Sequence, residues 1–102
     1  LDIEPKRFVL LLYHRPRGLR AAAEAGVDLK ISGHTHNGQI VPFNFVVARK
    51  IKKTVSLFQE GLTRLYVSPG TGTWGPVMRL GSRGEVTLFE IRPLTQSINV
   101  AP

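Results

Sequence analysis

Apolar residues in the first third of the chain fall into two short blocks separated by a helical pattern. Residues 8–13 form a continuous apolar run between basic residues, which is typical of a strand buried on both faces. Apolar positions recur at helical spacing over residues 17–25, between Pro16 and Gly26. Residues 27–32 predict a second strand. Because about fourteen residues separate the two strands, enough for a helical crossover, we expect a parallel β-α-β unit.

The pattern changes after Pro42. Five apolar residues lie near one face of a predicted helix that is otherwise rich in Arg and Lys, namely Phe43, Val46, Val47, Ile51 and Val55. Later apolar blocks predict strands at residues 55–58, 63–68, 77–80 and 85–91. The fold class is therefore predicted to be α/β, with an N-terminal β-α-β unit followed by mainly antiparallel strands. Residues 93–102 lack periodicity and are predicted to form a disordered tail.

The three histidines of the chain all follow predicted strands. His14 comes directly after the first strand, and His34 and His36 come after the second, between Gly33 and Gly38. In an extended backbone, residues i and i+2 point to the same side about 6.5 Å apart, so this pair could reach two metal ions about 3.5–4 Å apart. Because parallel strands end at one edge of a sheet, we expect the three imidazoles to converge as metal ligands. From spacing alone, an ordinary His-x-His pair on a loop or strand stays an open alternative.

Composition limits the kinds of partner and site. The 102 residues are enough for one small domain with a modest core. Because the chain has no cysteine, any metal must be held by nitrogen and oxygen ligands. The net charge of +7 favours anionic partners such as phosphoesters, acidic lipid headgroups or nucleic acid. No aromatic residue interleaves the basic stretch 49–53, so we predict no specific nucleic-acid binding.

Three further features admit more than one interpretation. The predicted helix could lie on a membrane surface, but we favour a cover helix whose apolar face packs on the domain. The basic residues that would face such a membrane are Arg49, Lys50, Lys52 and Lys53.

Residues 69–76 superficially resemble a phosphate cradle, but they match neither of the common glycine-rich phosphate motifs and predict a tight connection. Trp74 could wall a substrate pocket, although a lone Trp in such a loop more often plugs the edge of a core.

Several segments resemble the C-terminal half of calcineurin-like metallophosphoesterases, in a subgroup that includes membrane-associated members. The segments are residues 11–16, 25–29, 32–39, 65–68 and 72–76. The Gly-His-x-His motif together with an upstream His at a strand end is a specific combination. The resemblance implies a partial β-sandwich flanked by helices, with residues 1–92 as the C-terminal part of the domain.

The resemblance also implies a phosphoesterase with two divalent ions, Mn, Fe or Zn, and a hydroxide between them that attacks a phosphate mono- or diester. By position, His14 and His34 would ligate the second ion and His36 the first. Asn37 and Gln39 would support the ligands or contact substrate. A phosphoester is then the implied substrate. The compartment stays unknown; association of the full-length protein with a membrane, on its cytoplasmic side or in the cell envelope, is left open.

The other motifs of the family are missing from this sequence. An Asp-x-His motif, an Asp that bridges both ions and an Asn-His pair would all lie upstream, and the only aspartates here are Asp2 and Asp28. The chain begins with Leu1 rather than Met, which indicates a fragment or a processed product. We therefore expect the missing N-terminal half of the domain to be a partner, and the chain alone to bind metal weakly and to be inactive. The alternative is a non-enzymatic basic module that binds anionic lipid surfaces or other polyanions.

Overall fold

A computed structural model describes residues 7–51 and 55–93, which form a four-stranded mixed sheet with two helices. The strands are β1 (Leu10–Leu12), β2 (Leu29–Ser32), β3 (Ser56–Glu60) and β4 (Thr63–Val67), in the order β1-β2-β4-β3. The helices are α1 (Leu19–Glu24) and α2 (Phe43–Lys50), and a 3₁₀ turn spans His36–Gly38. The predicted α/β class is confirmed. The predicted tail lies outside the described residues, except for its first residue.

The first three elements form the predicted β-α-β unit, with β1 and β2 paired in parallel. Helix α1 begins after Gly18 and is followed by Gly26, which has a φ of 80°. This left-handed conformation is the usual way to end a helix and favours glycine. The amide N–H of Val27 then donates to the carbonyl of Ala22 at 3.0 Å. The local signals of the sequence were therefore sufficient to place this unit.

One face of the sheet is covered by α1. Leu19 of the helix forms a small core with Leu65 and Val67 of β4, and Phe58 of β3 packs against it. β2 pairs with β4 in parallel, whereas β3 and β4 form an antiparallel hairpin. Because each fully buried side chain of this kind contributes about 1.5–3 kcal/mol, the fold depends strongly on these few residues.

Two charged residues stabilise the β-α-β unit. Lys30 of β2 is almost fully buried; its Nζ donates to the carbonyl of Arg17 and lies 5.0 Å from the centre of the Tyr13 ring. The carboxylate of Asp28 accepts a hydrogen bond from the amide N–H of Val9 at 2.7 Å. Asp28, which lies between α1 and β2, thus connects this turn to the segment that leads into β1.

The other face of the sheet is open at β1. Leu10 is 43% exposed and Leu12 is 70% exposed, although the sequence predicted a strand buried on both faces. This prediction of burial was wrong because, among the described residues, no second layer covers the side of β1 that carries Leu10 and Leu12. Within the described residues there is a single sheet, so the second sheet of the expected sandwich is not seen there.

The last predicted strand, residues 85–91, is not formed in the structure. The hydroxyl of Tyr66 donates to Glu85 and lies 3.1 Å from Oγ1 of Thr87, and the ring of Phe89 is centred 5.1 Å from that of Tyr66. Contacts at every second residue fit an extended segment. A strand also needs a backbone partner, and none of the described strands pairs with this segment. The predicted strand 77–80 is likewise reduced to one bridge, between Ile40 and Leu80.

Helix α2 packs mainly on the 3₁₀ turn, away from the sheet. None of its residues is buried, and Phe43 and Phe45 are 51% and 65% exposed. The helix ends at Lys50, so Val55 is not part of its apolar face as predicted. The prediction of a cover helix was wrong, because the apolar side of α2 does not reach the core.

Candidate metal centre

His14 and His34 stand just beyond the ends of the neighbouring parallel strands β1 and β2. The backbone pairing continues past the strand ends, where the amide N–H of Gly33 donates to the carbonyl of His14 at 3.0 Å. The Ser32 hydroxyl donates to the carbonyl of Arg15 at 3.3 Å. These bonds connect the two loops, and they hold the two imidazoles side by side.

The rings of His14 and His34 meet edge to face, with Nδ1 of His34 3.0 Å from Nε2 of His14. Two ring nitrogens that both present lone pairs would repel at this distance, so a proton must lie between them. A metal ion could take the place of that proton. Imidazole nitrogens bound about 2.0–2.1 Å from one zinc ion would be separated by about 2.9–3.4 Å, depending on the angle at the ion. The observed distance therefore fits two ligands of one ion.

The pKa of His34 is lowered below its usual range. The largest cause is partial loss of hydration, followed by the positive charges of His14 and Arg15. Because a metal binds only the neutral imidazole, a lowered pKa keeps His34 competent as a ligand at a pH where a free imidazole is partly protonated.

The loop that carries the histidines has an unusual backbone. Its φ angles are +72° at His34, +48° at His36 and Asn37, and +57° at Gln39. Residues with a Cβ rarely adopt this left-handed region, and such strain is concentrated at functional sites. The predicted extended backbone with His34 and His36 on one side was wrong, because β2 ends at Ser32 and the chain turns at once.

His36 borders the same cavity as the other two histidines but has a different neighbour. Nη2 of Arg79 lies 3.5 Å from Nδ1 of His36. Because a guanidinium can only donate, Nδ1 must accept, and the proton of the neutral ring is then on Nε2. Among residues 7–51 and 55–93, no three His, Cys, Asp or Glu side chains come together closely enough to hold a metal ion. The structure thus joins His14 and His34 and leaves His36 apart.

Arg79 is a functional candidate that the sequence did not reveal. Its guanidinium donates to the carbonyls of Pro69 at 2.7 Å and Gly72 at 2.6 Å, as well as to His36. It therefore connects the glycine-rich loop to the histidine loop. The only available signal was a single cation among the apolar residues of a predicted short strand.

The side chain of Gln39 holds the other end of the glycine-rich loop. Its Nε2 faces the carbonyls of Trp74, Pro76 and Met78 at 2.9–3.0 Å, and its Oε1 accepts from the amide N–H of Trp74 at 2.6 Å. The residue is buried, with 5% exposure. Its amide is used entirely within the chain, so in this structure it supports the loop, and contact with substrate stays a prediction.

The remaining predicted site residues either do not border the cavity of the three histidines or lie outside the described residues. Asn37 is half-buried, and its backbone N–H donates to Oγ1 of Thr35 at 3.3 Å. Arg49 and Lys50 are exposed on the last turn of α2. Lys52 and Lys53 belong to the part of the chain that is not described. The basic surface therefore stays a prediction.

A cavity of about 740 Å³ opens beside the imidazoles. It is bordered by the loop and by apolar residues of the α2 segment, namely His14, His34, Thr35, His36, Gly38, Gln39, Ile40, Phe43, Val47, Ile51, Trp74 and Pro76. Trp74 is 71% exposed. The prediction that it plugs the edge of a core was wrong, because the side chain is largely exposed and borders the cavity.

Sequence similarity to known proteins extends over most of this chain. A metallophosphoesterase from Campylobacter jejuni is 36% identical over 93 residues, which are 90% of this chain and 25% of that protein. The chain belongs to the metallophosphoesterase family. Another metallophosphoesterase, from Aquifex aeolicus, is 39% identical over 93 residues, or 89% of this chain and 35% of that protein. A Bos taurus relative, 42% identical over 86 residues, covers 81% of this chain with 19% of its own length and is named a transmembrane protein with a metallophosphoesterase domain.

This metallophosphoesterase chain spans about a quarter of the length of the curated relatives it matches, which is consistent with the expected C-terminal fragment. No family model and no solved structure matches it. The names of the relatives confirm the predicted family of metal-using hydrolases of phosphoesters. They do not favour the alternative of a non-enzymatic basic module. Among the described residues, no helix is long and apolar enough to cross a membrane.

Proposed function

We propose that this chain forms part of a di-metal phosphoesterase and supplies imidazole ligands to a centre that hydrolyses phosphate mono- or diesters. The observation that supports this most directly is the contact between His14 and His34, whose ring nitrogens are 3.0 Å apart at the ends of adjacent parallel strands. In a metallophosphoesterase sequence, this geometry suits two ligands of a single ion. The ions, Mn, Fe or Zn, would supply a hydroxide nucleophile and polarise the phosphoryl oxygens when bound.

In this proposal the three histidines have unequal roles. His14 and His34 hold one ion, and the lowered pKa of His34 keeps its nitrogen available. His36 would hold the other ion through Nδ1, the nitrogen that faces Arg79 in this structure. Asn37 contacts the substrate, and Gln39 orients the loop that carries Trp74.

Zinc titration of the 102-residue chain, followed by the ring NMR signals of its three histidines, tests the ligand assignment. The signals of His14 and His34 should shift together at the lowest zinc concentrations, because these rings are already arranged as a pair. Those of His36 should follow only at higher zinc. Replacing Arg79 by Met should make His36 respond earlier, since it frees Nδ1. If zinc shifts His36 first, or shifts none of the rings, the proposed ligand set is wrong.

The chain alone is proposed to be inactive. Within residues 7–51 and 55–93, no carboxylate borders the cavity. Two divalent ions repel each other strongly unless anionic ligands lie between them. We infer that the missing N-terminal half of the domain provides these carboxylates. The sequence encoded upstream should then contain Asp-x-His, Gly-Asp and Gly-Asn-His within about one domain length.

An activity assay separates the chain from the complete domain. The 102-residue chain with manganese should not hydrolyse bis(p-nitrophenyl) phosphate, whereas the same chain joined to its upstream sequence should. The joined protein with His14→Ala should lose activity. Turnover by the short chain, or an inactive joined protein that binds metal normally, would contradict the proposal.

A further inference from the structure

The cavity beside the imidazoles combines two kinds of surface. One part carries the ring nitrogens of His14 and His34. The rest is largely apolar, because Phe43 and Val47 recur one helical turn apart on α2 and Trp74 stands on the glycine-rich loop. The volume of about 740 Å³ falls within the range of about 300–1,000 Å³ that is typical of small-ligand sites.

We propose that this cavity binds a phosphoester that carries an alkyl chain, with the phosphate at His14 and His34 and the chain along Phe43, Val47 and Trp74. The proposal rests on the proposed phosphoesterase function and names the substrate class. A fully polar phosphoester, such as a sugar phosphate, would place hydroxyl groups against the apolar wall without hydrogen-bond partners, which is costly. An alkyl chain removes the same wall from water and gains free energy.

The charge at the imidazole end suits an anionic headgroup. None of the described residues that border the cavity is acidic. The positive charges of Arg15 and Arg17 both act on His34, and the whole chain carries +7. A phosphate at this end would therefore meet a positive potential, with no competing carboxylate from the part of the chain that the structure describes.

The other side of α2 provides a matched control. Phe45, Val46 and Arg49 border a separate hollow of about 410 Å³. Phe43 and Phe45 are 51% and 65% exposed, so both are accessible phenylalanines of one helix. Only Phe43 borders the cavity that contains the imidazoles.

The binding experiment uses Trp74, the only tryptophan of the chain, as a fluorescent reporter. The 102-residue chain is titrated without metal with octyl phosphate below its micelle concentration, with inorganic phosphate and with octanol. Each buried methylene contributes about fourfold in affinity, so burial of three or four should make octyl phosphate bind about 100-fold more tightly than inorganic phosphate. Octyl phosphate should also bind more tightly than octanol and shift the emission of Trp74 to the blue. Equal binding of octyl phosphate and either control would overturn the proposal.

Two variants test where the alkyl chain lies. Phe43→Ala should weaken octyl phosphate binding about tenfold, and Phe45→Ala should change it by no more than about twofold. If Phe43→Ala loses the helical circular dichroism of the parent chain, Val47→Ala decides instead. Equal weakening by a cavity variant and Phe45→Ala would overturn the proposal. So would binding that occurs only to phosphatidylglycerol vesicles and depends on Phe45, which would indicate a membrane surface.

The zinc titration of the histidine rings keeps the two proposals separate. If octyl phosphate binding depends on Phe43 but zinc shifts neither His14 nor His34, the alkyl-phosphate site is supported and the metal centre is refuted. If zinc shifts both rings but octyl phosphate shows no preference over phosphate, the metal centre is supported and the alkyl-phosphate site is refuted.

Discussion

Replacing Gly38 by Ala should destabilise the chain more than any other glycine substitution with a similar backbone angle. Gly38 has a φ of +71° and lies in the 3₁₀ turn of the histidine loop. A Cβ placed there would be 2.1 Å from Cα of Asn44 and 2.9 Å from its backbone nitrogen. Because these are backbone atoms of α2, no side-chain rotation can relieve the clash. The whole helix would have to move away from the loop.

The size of the effect follows from two separate costs. Adding a Cβ in the left-handed region costs about 1–2 kcal/mol, and overpacking typically adds about 1–3 kcal/mol. We therefore expect Gly38→Ala to lower the free energy of unfolding by about 2–5 kcal/mol. That is a large part of the roughly 5–15 kcal/mol that stabilises a typical domain.

Gly61 is the matched control because it has a φ of +58°, but a Cβ added there would have no atom of another described residue within 4 Å. Gly61→Ala should therefore cost only the strain, about 1–2 kcal/mol. Urea unfolding followed by circular dichroism gives both values, and a slope of about 1–3 kcal/mol per molar urea makes the difference measurable. Adding Asn44→Gly to Gly38→Ala should not restore stability, since the closest atom is Cα. Equal losses for the two glycine variants, or rescue by Asn44→Gly, would refute this reasoning.

Three further predictions concern hydrogen bonds and protonation. Gln39→Glu turns a buried donor that faces three carbonyls into an acceptor, so urea unfolding should show that the free energy of unfolding falls by at least about 2 kcal/mol. The exposed control Gln59→Glu should change it little. Similar losses for the two variants would contradict the role of Gln39 in supporting the loop. Because the pKa of His34 is lowered, the unfolded chain binds more protons than the native one as the pH falls through about 6.5. The free energy of unfolding should therefore decrease there, and less steeply in His34→Gln; identical slopes would argue against the lowered pKa. Hydrogen bonds from Thr87 and Tyr66 lower the pKa of Glu85. Tyr66→Phe should therefore raise that pKa in an NMR titration and speed proteolysis of residues 85–91. If neither the pKa nor the proteolysis rate changes, the contact between Tyr66 and Glu85 is unimportant.

The β-α-β unit could be predicted because its signals are local. A helix that ends before Gly26 and a strand that follows it need only neighbouring residues to be recognised, and both are found in the structure. Because the connection is long enough for a parallel crossover, the proximity of His14 and His34 also followed from the sequence.

The other features depend on contacts between distant parts of the chain. The exposure of Leu12 depends on which elements pack against β1, and the pattern of apolar residues along the chain does not show this. The left-handed φ angles from His34 to Gln39 occur in residues that carry a Cβ, so no glycine pattern marks them. The contact between His36 and Arg79 joins residues far apart in the sequence. The ligand pair could thus be predicted from the strands, whereas the surroundings of His36 could not.

Strands β2 and β4 are hydrogen-bonded neighbours, yet the whole of α2 lies between them in the sequence. The sheet positions His14 and His34. Phe43 and Val47 instead belong to an excursion of the chain, residues 40–51, whose helix packs mainly on the 3₁₀ turn of the histidine loop. Residues of this excursion can therefore be inserted, deleted or exchanged during evolution without altering the register of the sheet. Two homologues could keep the same pair of imidazoles and differ in the ligands they select. Chimaeras that exchange only residues 40–51 should transfer ligand preference from one homologue to another.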